Sequence, residues 1–126
     1  MNKAQAIQEL WSSFGLPAYS EETVPTGADA PAFPYITYTV ETDSLGNILL
    51  LTGSVWYRTT SWKLPEQKVQ EIAEAIGSQG FKITKIDKGY VWFTKGQPFA
   101  QRLADPNDDM IRRIIINVTA EFLTAY

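Results

Sequence analysis

From Tyr35 to Thr59 the chain alternates hydrophobic and polar positions with a period of two, the pattern of a long β-hairpin. In the first arm Ile36, Tyr38 and Val40 fall on one face, and Tyr35, Thr37, Thr39 and Glu41 on the other. In the second arm Leu49, Leu51, Val55 and Tyr57 lie opposite Leu50, Thr52, Ser54, Trp56 and Arg58. Asp43-Ser44-Leu45-Gly46-Asn47, between the arms, has the Asp, Gly and Asn chemistry of a reversing turn. Two other stretches carry helical spacing. Ile7, Leu10, Trp11 and Phe14 recur at i, i+3, i+4 and i+7 and predict a helix over 2–14. Asn2 is its N-cap, Gly15 suits the left-handed stop position, and Pro17 follows where the helix ends. Val69, Ile72, Ala73 and Ile76 repeat the spacing and predict a second helix over 65–76, opened by Pro65 and stopped by Gly77.

Residues 81–94 predict a shorter hairpin across Asp87-Lys88-Gly89. Its second arm, Tyr90-Val91-Trp92-Phe93, is bulky on both faces, and a strand apolar on both sides usually lies between two covering layers. Ile114, Ile116, Val118, Ala120 and Phe122 mark one face of a last strand over 111–122; Arg113, Ile115, Asn117, Thr119 and Glu121 mark the other. The order helix, hairpin, helix, hairpin, strand predicts one α+β domain over residues 1–126. Its mainly antiparallel sheet has about five strands, with two helices packed on one face. Two long connections are left, 16–34 with Pro17, Pro25, Pro31 and Pro34, and 95–110; loops of that length inside a domain are uncommon. The second sheet face, with Tyr35, Trp56 and Arg58, is half apolar and a candidate surface for a partner.

Composition narrows the chemistry. The chain has no Cys and no His, which removes disulfides, thiolate metal sites and the commonest general base. No apolar run reaches membrane-spanning length and no signal-peptide pattern opens the chain, so a cytoplasmic soluble protein is expected. Aromatic residues make up 13%, four of them Trp, a type concentrated in cores and interfaces. The net charge of −3 hides an asymmetry: between Ala4 and Tyr57 there are six acids and no base, and from Arg58 onward ten bases and eight acids. Two interleaved halves would cancel; two separate surfaces would steer subunits head to tail.

No stretch is a catalytic motif. Asp105, Asp108 and Asp109 form the one loop cluster of acids, but Asp-Pro-Asn-Asp-Asp lacks the alternation and following Glu of a calcium loop. Turn capping and pairing of Asp108 or Asp109 with Arg112 or Arg113 is the simpler account. Ser and Thr have no His partner, and Gly46, Gly53 and Gly77 make no phosphate loop. A carboxylate pair on a sugar, with Trp and Tyr stacking, has no carboxylate in an apolar strand to support it. Lys82, Lys85, Lys88 and Lys95 near Tyr90 and Trp92 make a modest basic patch, better read as lysines protecting a hairpin edge than as a nucleic-acid face.

Three stretches carry a resemblance: Phe33-Pro34-Tyr35-Ile36-Thr37-Tyr38; Ser54-Val55-Trp56-Tyr57-Arg58-Thr59-Thr60-Ser61-Trp62; and Gly96-Gln97-Pro98-Phe99-Ala100-Gln101-Arg102 through Asp108-Asp109-Met110-Ile111-Arg112-Arg113. From Phe33 onward the chain resembles the tail-terminator (tail-completion, head–tail joining) proteins of tailed phages and prophages of Gram-positive bacteria, also called minor capsid proteins. The resemblance implies a virion structural protein, made in the host cytoplasm. It would form a ring, typically a hexamer, that caps the tail tube protein and joins it to the head completion or connector protein. It implies no enzyme activity, no cofactor, no membrane and no specific nucleic acid. Another head–tail adaptor, a tail tube subunit, or a small carbohydrate- or nucleic-acid-binding module are the alternatives. The interface is expected at the hairpin tip (Asp43, Leu45, Asn47), the second sheet face (Tyr35, Trp56, Arg58) and the second long loop (Phe99, Arg102, Asp105, Asp108, Asp109).

Overall fold

The computed structural model describes residues 2–21, 23–24, 30–39, 48–77 and 81–124. Helix α1 (Lys3–Ser12) is opened by a capping box. Asn2 Oδ1 accepts from the Gln5 N–H at 2.8 Å, and Gln5 Oε1 accepts from the Asn2 N–H at 2.9 Å, satisfying two orphan donors reciprocally. After the helix, Gly15 takes a φ of +83°, which a side chain would resist. Strands β1 (Ala18–Ser20), β2 (Tyr35–Thr39) and β3 (Ile48–Arg58) follow, then α2 (Lys63–Ile76), β4 (Phe81–Ile86), β5 (Gly89–Ala104) and β6 (Ile111–Thr124). They form one six-stranded sheet in the order β1-β2-β3-β6-β5-β4. The turn expected at 43–47, with Asp43, Leu45 and Asn47, lies outside the described residues.

The sheet is mixed and has six strands, not five mainly antiparallel ones. Ala18–Ser20 pairs parallel to β2, with Tyr19 beside Thr37, so the first long connection contributes an edge strand. The second connection is largely strand as well. After a register irregularity between Lys95 and Ala100, β5 rejoins β6 and stays paired to Ala104. Asn117 on β6 holds that irregularity: its Nδ2 donates to Pro98 O at 2.9 Å. A Cβ on Gly96 would lie 2.8 Å from Asn117 Cβ, so the backbone there needs a glycine to approach.

Alternation along each strand sorts the side chains by face. Ile36 and Tyr38, Leu51 and Val55, Val91 and Phe93, and Ile114, Ile116, Val118, Ala120 and Phe122 are all buried in one cluster with Ala6, Ile7, Leu10, Trp11 and Phe14 of α1 and its exit and Ile72 and Ile76 of α2. Both helices thus cover the same sheet face. Helix α1 touches β1 and β4, the two edges, so the sheet curls around it. Trp11 is fully buried at the centre of this curl, with its indole stacked on Tyr38 at 6.2 Å. The Tyr38 hydroxyl donates to Gln8 Oε1 of α1. Beneath Trp11 the sheet presents Gly53, where a Cβ would fall 2.7 Å from the indole ring.

Gly53→Ala therefore forces either Trp11 or β3 to move, and we expect a loss of about 1–3 kcal/mol of stability by overpacking. Urea unfolding should show the lower midpoint with an unchanged slope; an unaltered midpoint would mean that α1 is not held against β3 by this contact.

Candidate functional site: the open face of the sheet

The face turned away from the helices has two ends of different character. At one end a row of side chains crosses four strands in register: Tyr35 on β2, Trp56 on β3, Arg113 on β6 and Leu103 on β5. Tyr35 and Trp56 are stacked at 6.2 Å with 16° between their planes, and the Arg113 guanidinium lies 4.5 Å from the Trp56 ring on its other side. Phe33 and Tyr19 pack on Tyr35 at 5.1 and 6.3 Å. The next row supplies the polar partners. Thr37 Oγ1 accepts from Trp56 Nε1 at 2.8 Å, and Ser54 Oγ accepts from Arg113 Nε at 3.0 Å. Burial raises the Tyr35 phenol above its ordinary pKa, so it stays neutral at physiological pH. Within this row the aromatic faces are taken up by one another and by a guanidinium, leaving edges outward.

At the other end the open face is apolar, and nothing among the described residues covers it. Ile48 and Leu50 on β3, Ile83 on β4, Tyr90 on β5 and Leu123 on β6 are among the most exposed large hydrophobic residues of the described chain, at 48–63%. The pairing Ile48–Glu121–Trp92–Ile83 sets one row, and Leu123–Tyr90–Lys85 the adjacent one, so these side chains share one continuous patch. A strand bulky on both faces was expected between two layers. The structure supplies one layer, the helices, over Val91 and Phe93, and none from the described residues over Tyr90. That run was the sequence signal for the patch; of its charged members, Lys85 reads from sequence as one of the lysines protecting a hairpin edge, and Glu121 gives no signal of its own.

The residues named from sequence separate in space. Tyr35, Trp56 and Arg58 stand at the aromatic end, and Arg58 reaches Asp108 Oδ2 at 3.3 Å and lies 6.0 Å from the Phe33 ring. Asp105 lines a notch of about 90 Å³ with Trp56, Leu103, Pro106 and Arg113, room for a few waters only. Its Oδ1 accepts from the Asn107 N–H at 2.8 Å, and Asp108 Oδ1 accepts from the Met110 N–H at 2.9 Å, so both are turn residues. Asp108 pairs Arg58, not Arg112 or Arg113; Arg113 lies 3.9 Å from Glu21, and Arg112 bonds the Asp109 carbonyl. Arg102 and Phe99 leave the open face altogether. Arg102 lies on the helix side, paired with Glu66 and 5.1 Å from the Trp62 ring, which Arg112 approaches at 5.4 Å. Phe99 packs against the core, with Lys95 Nζ 5.9 Å from its ring. Asp43, Leu45 and Asn47 lie outside the described residues.

No group of three or more acidic residues among the described ones is arranged to hold a metal ion. The chain matches no protein-family model and no curated protein sequence.

Asp108 holds the turn more than it holds Arg58. The ion pair joins side chains 54% and 34% exposed, a setting worth at most about 1 kcal/mol, whereas its turn bond is local and geometrically fixed. We expect Asp108→Ala to cost about 1 kcal/mol and Asp108→Asn, which keeps an acceptor for the Met110 N–H, less than about half of that. Chemical denaturation of the two variants measures this; equal losses would assign the effect to the ion pair.

Proposed function

We propose that this protein is a self-assembling structural subunit of the phage head–tail junction, a tail terminator. It forms a ring that caps the tail tube and meets the head connector, and it carries out no chemistry. The observation that carries the reading is the uncovered apolar end of the open face. Four adjacent strands present Ile48, Leu50, Ile83, Tyr90 and Leu123 to water. Exposed apolar surface of this continuity marks a contact with another protein.

The stretches that resemble tail terminators add a second support. They are separated in sequence but meet at one end of the molecule: Tyr35 on Trp56, Trp56 on Arg113, Arg58 on Asp108, and Trp62 beside Arg102 and Arg112. Those strings therefore form one packed unit in this chain, which supports reading the resemblance as a whole and not as three separate strings. Another head–tail adaptor or a tail tube subunit fits the same surface. The carbohydrate- or nucleic-acid-binding alternative is less well served. Sugars and bases stack on free aromatic faces, and here Trp56 is flanked by Tyr35 and Arg113. A cavity of about 350 Å³ between the end of α1 and α2 is crossed by Lys68, which donates to Phe14 O at 3.1 Å and to Glu71 at 2.7 Å.

Deleting the gene from a phage or inducible prophage that carries it should give tails of uncontrolled length, with heads and tails unjoined, and purified protein should restore joining. Finished tails of normal length on filled heads, made without this protein, would refute the assignment.

A further inference from the structure

We infer that the open edge of β5 from Ala100 to Ala104, together with the groove between it and α2, takes up an extended segment of another protein as an added strand. Strand β4 pairs only with Gly89–Thr94 of β5, so past Thr94 no described strand lies on the outer side of β5. On its inner side Ala100–Ala104 pairs without interruption with β6, from Ile116 to Arg112. Such an edge is a row of unpaired backbone donors and acceptors, and proteins usually blunt it with lysine, proline, a bulge or shortness. The other edges of this sheet are blunted in that way. Strand β1 is three residues long, β4 carries Lys82 and Lys85, and residues 95–99 hold Lys95, Pro98 and the register irregularity. Ala100-Gln101-Arg102-Leu103 has none of these devices, and all four residues are exposed.

Added strands are held by backbone hydrogen bonds and selected by pockets that take alternate side chains. A pocket of that kind stands beside this edge. A cavity of about 230 Å³ lies between α2 and β5, lined by Glu66, Val69 and Gln70 on the helix, Ala100 and Arg102 on the strand, and Ile114 of β6. Glu66, Val69 and Gln70 follow i, i+3, i+4, so one face of α2 looks onto the strand edge. The volume is several times the roughly 30 Å³ share of one water, and below the roughly 300 Å³ at which small-molecule sites begin, so it suits a single side chain. Val69, Ala100 and Ile114 select an apolar one. Toward Ala104 the groove becomes cationic. Arg102 and Arg112 stand 5.1 and 5.4 Å from the Trp62 ring. Arg102 is paired with Glu66, whereas Arg112 bonds backbone carbonyls and no carboxylate among the described residues. Side chains two apart on a strand share a face, so the segment carries an acidic residue two places from the apolar one.

A second copy of this chain is the poorer occupant. Pairing the edge with itself, centred on Arg102, would set two copies of Arg102 against each other, and like charges directly opposite repel. Strand β4 would bring further lysines, and β1 is too short. The edge lies apart from the apolar end of the open face, so the inference stands whether or not that end joins subunits.

The test is a titration of the full chain with a fluorescent peptide, Thr-Thr-Leu-Thr-Asp-Thr-Thr. We expect saturable binding with a dissociation constant between about 10 µM and about 1 mM. Amide exchange should show the peptide protecting the alternate amides of Ala100–Ala104 that do not bond β6. Alanine in place of the leucine, or lysine in place of the aspartate, should weaken binding about tenfold. Of two peptides N-methylated at alternate backbone nitrogens, one set or the other, only one should still bind; this pair tests strand addition without altering the protein. Ala100→Phe fills the groove from an exposed position and should weaken binding about tenfold at an unchanged melting temperature. No binding at about 1 mM, methylated peptides that behave alike, or peptide and chain variants that bind like the originals would each overturn the inference. Protection confined to Ile48, Leu50, Ile83 and Leu123 would overturn it in favour of the apolar end. Protection of the same β5 amides when the chain alone is concentrated would give the edge to a second copy, and would overturn it too.

Discussion

The seat of Trp11 on Gly53 is the contact on which the rest of the structure depends. It places a fully buried indole against bare backbone in the middle of β3, with Tyr38 stacked beside it. A helix held that close to the sheet touches both sheet edges, and the sheet curls to meet it. Burial of one large aromatic contributes several kilocalories, so this contact outweighs any surface ion pair of the molecule. The curl also has a consequence for the opposite side. All the helical cover is spent on the concave face, and the convex face keeps whatever its own side chains can arrange.

Those side chains arrange themselves differently at the two ends. Near Trp56 the strands stack aromatic rings and a guanidinium face to face, with Thr37 and Ser54 accepting from the part-buried N–H donors. That surface is finished within one chain. Near Ile48 and Tyr90 the same face has large apolar side chains and two lone charges, and nothing among the described residues closes it. One sheet thus carries an end packed within the chain and an end that, in the proposed reading, is completed by association. That asymmetry and the resemblance are the two supports for the proposed place of this protein at the head–tail junction.

Where periodicity was long, the sequence was legible. The i, i+3, i+4, i+7 stripe through Trp11 and the alternating Ile114 to Phe122 both lie in the core, and Tyr35, Trp56 and Arg58 face away from it. Strand β1 was not legible because three residues hold no period, and its partner is parallel and remote in sequence. The continuation of β5 was hidden by Gly96 and Pro98, residues that ordinarily signal a loop. What keeps that segment in the sheet is Asn117, about twenty residues later, bonding Pro98 O. Sequence reasoning placed Arg102 with the interface because of its loop setting; once the loop is a strand, its parity turns Arg102 toward α2 and Glu66. Glu121 and Lys85 look like ordinary polar strand residues until the register sets them among Ile48, Trp92, Ile83 and Tyr90.

The central proposal is that the apolar end of the convex face is a contact surface, whereas the aromatic end of the same face is packed within one chain. The most direct test is the protection of individual methyl groups from a soluble paramagnetic probe in dilute and concentrated samples. The account predicts that Ile48, Leu50, Ile83 and Leu123 become protected on concentration, while Leu64 and Leu103, also exposed, stay accessible. Protection spread evenly over all six residues, or confined to Leu64 and Leu103, would contradict it.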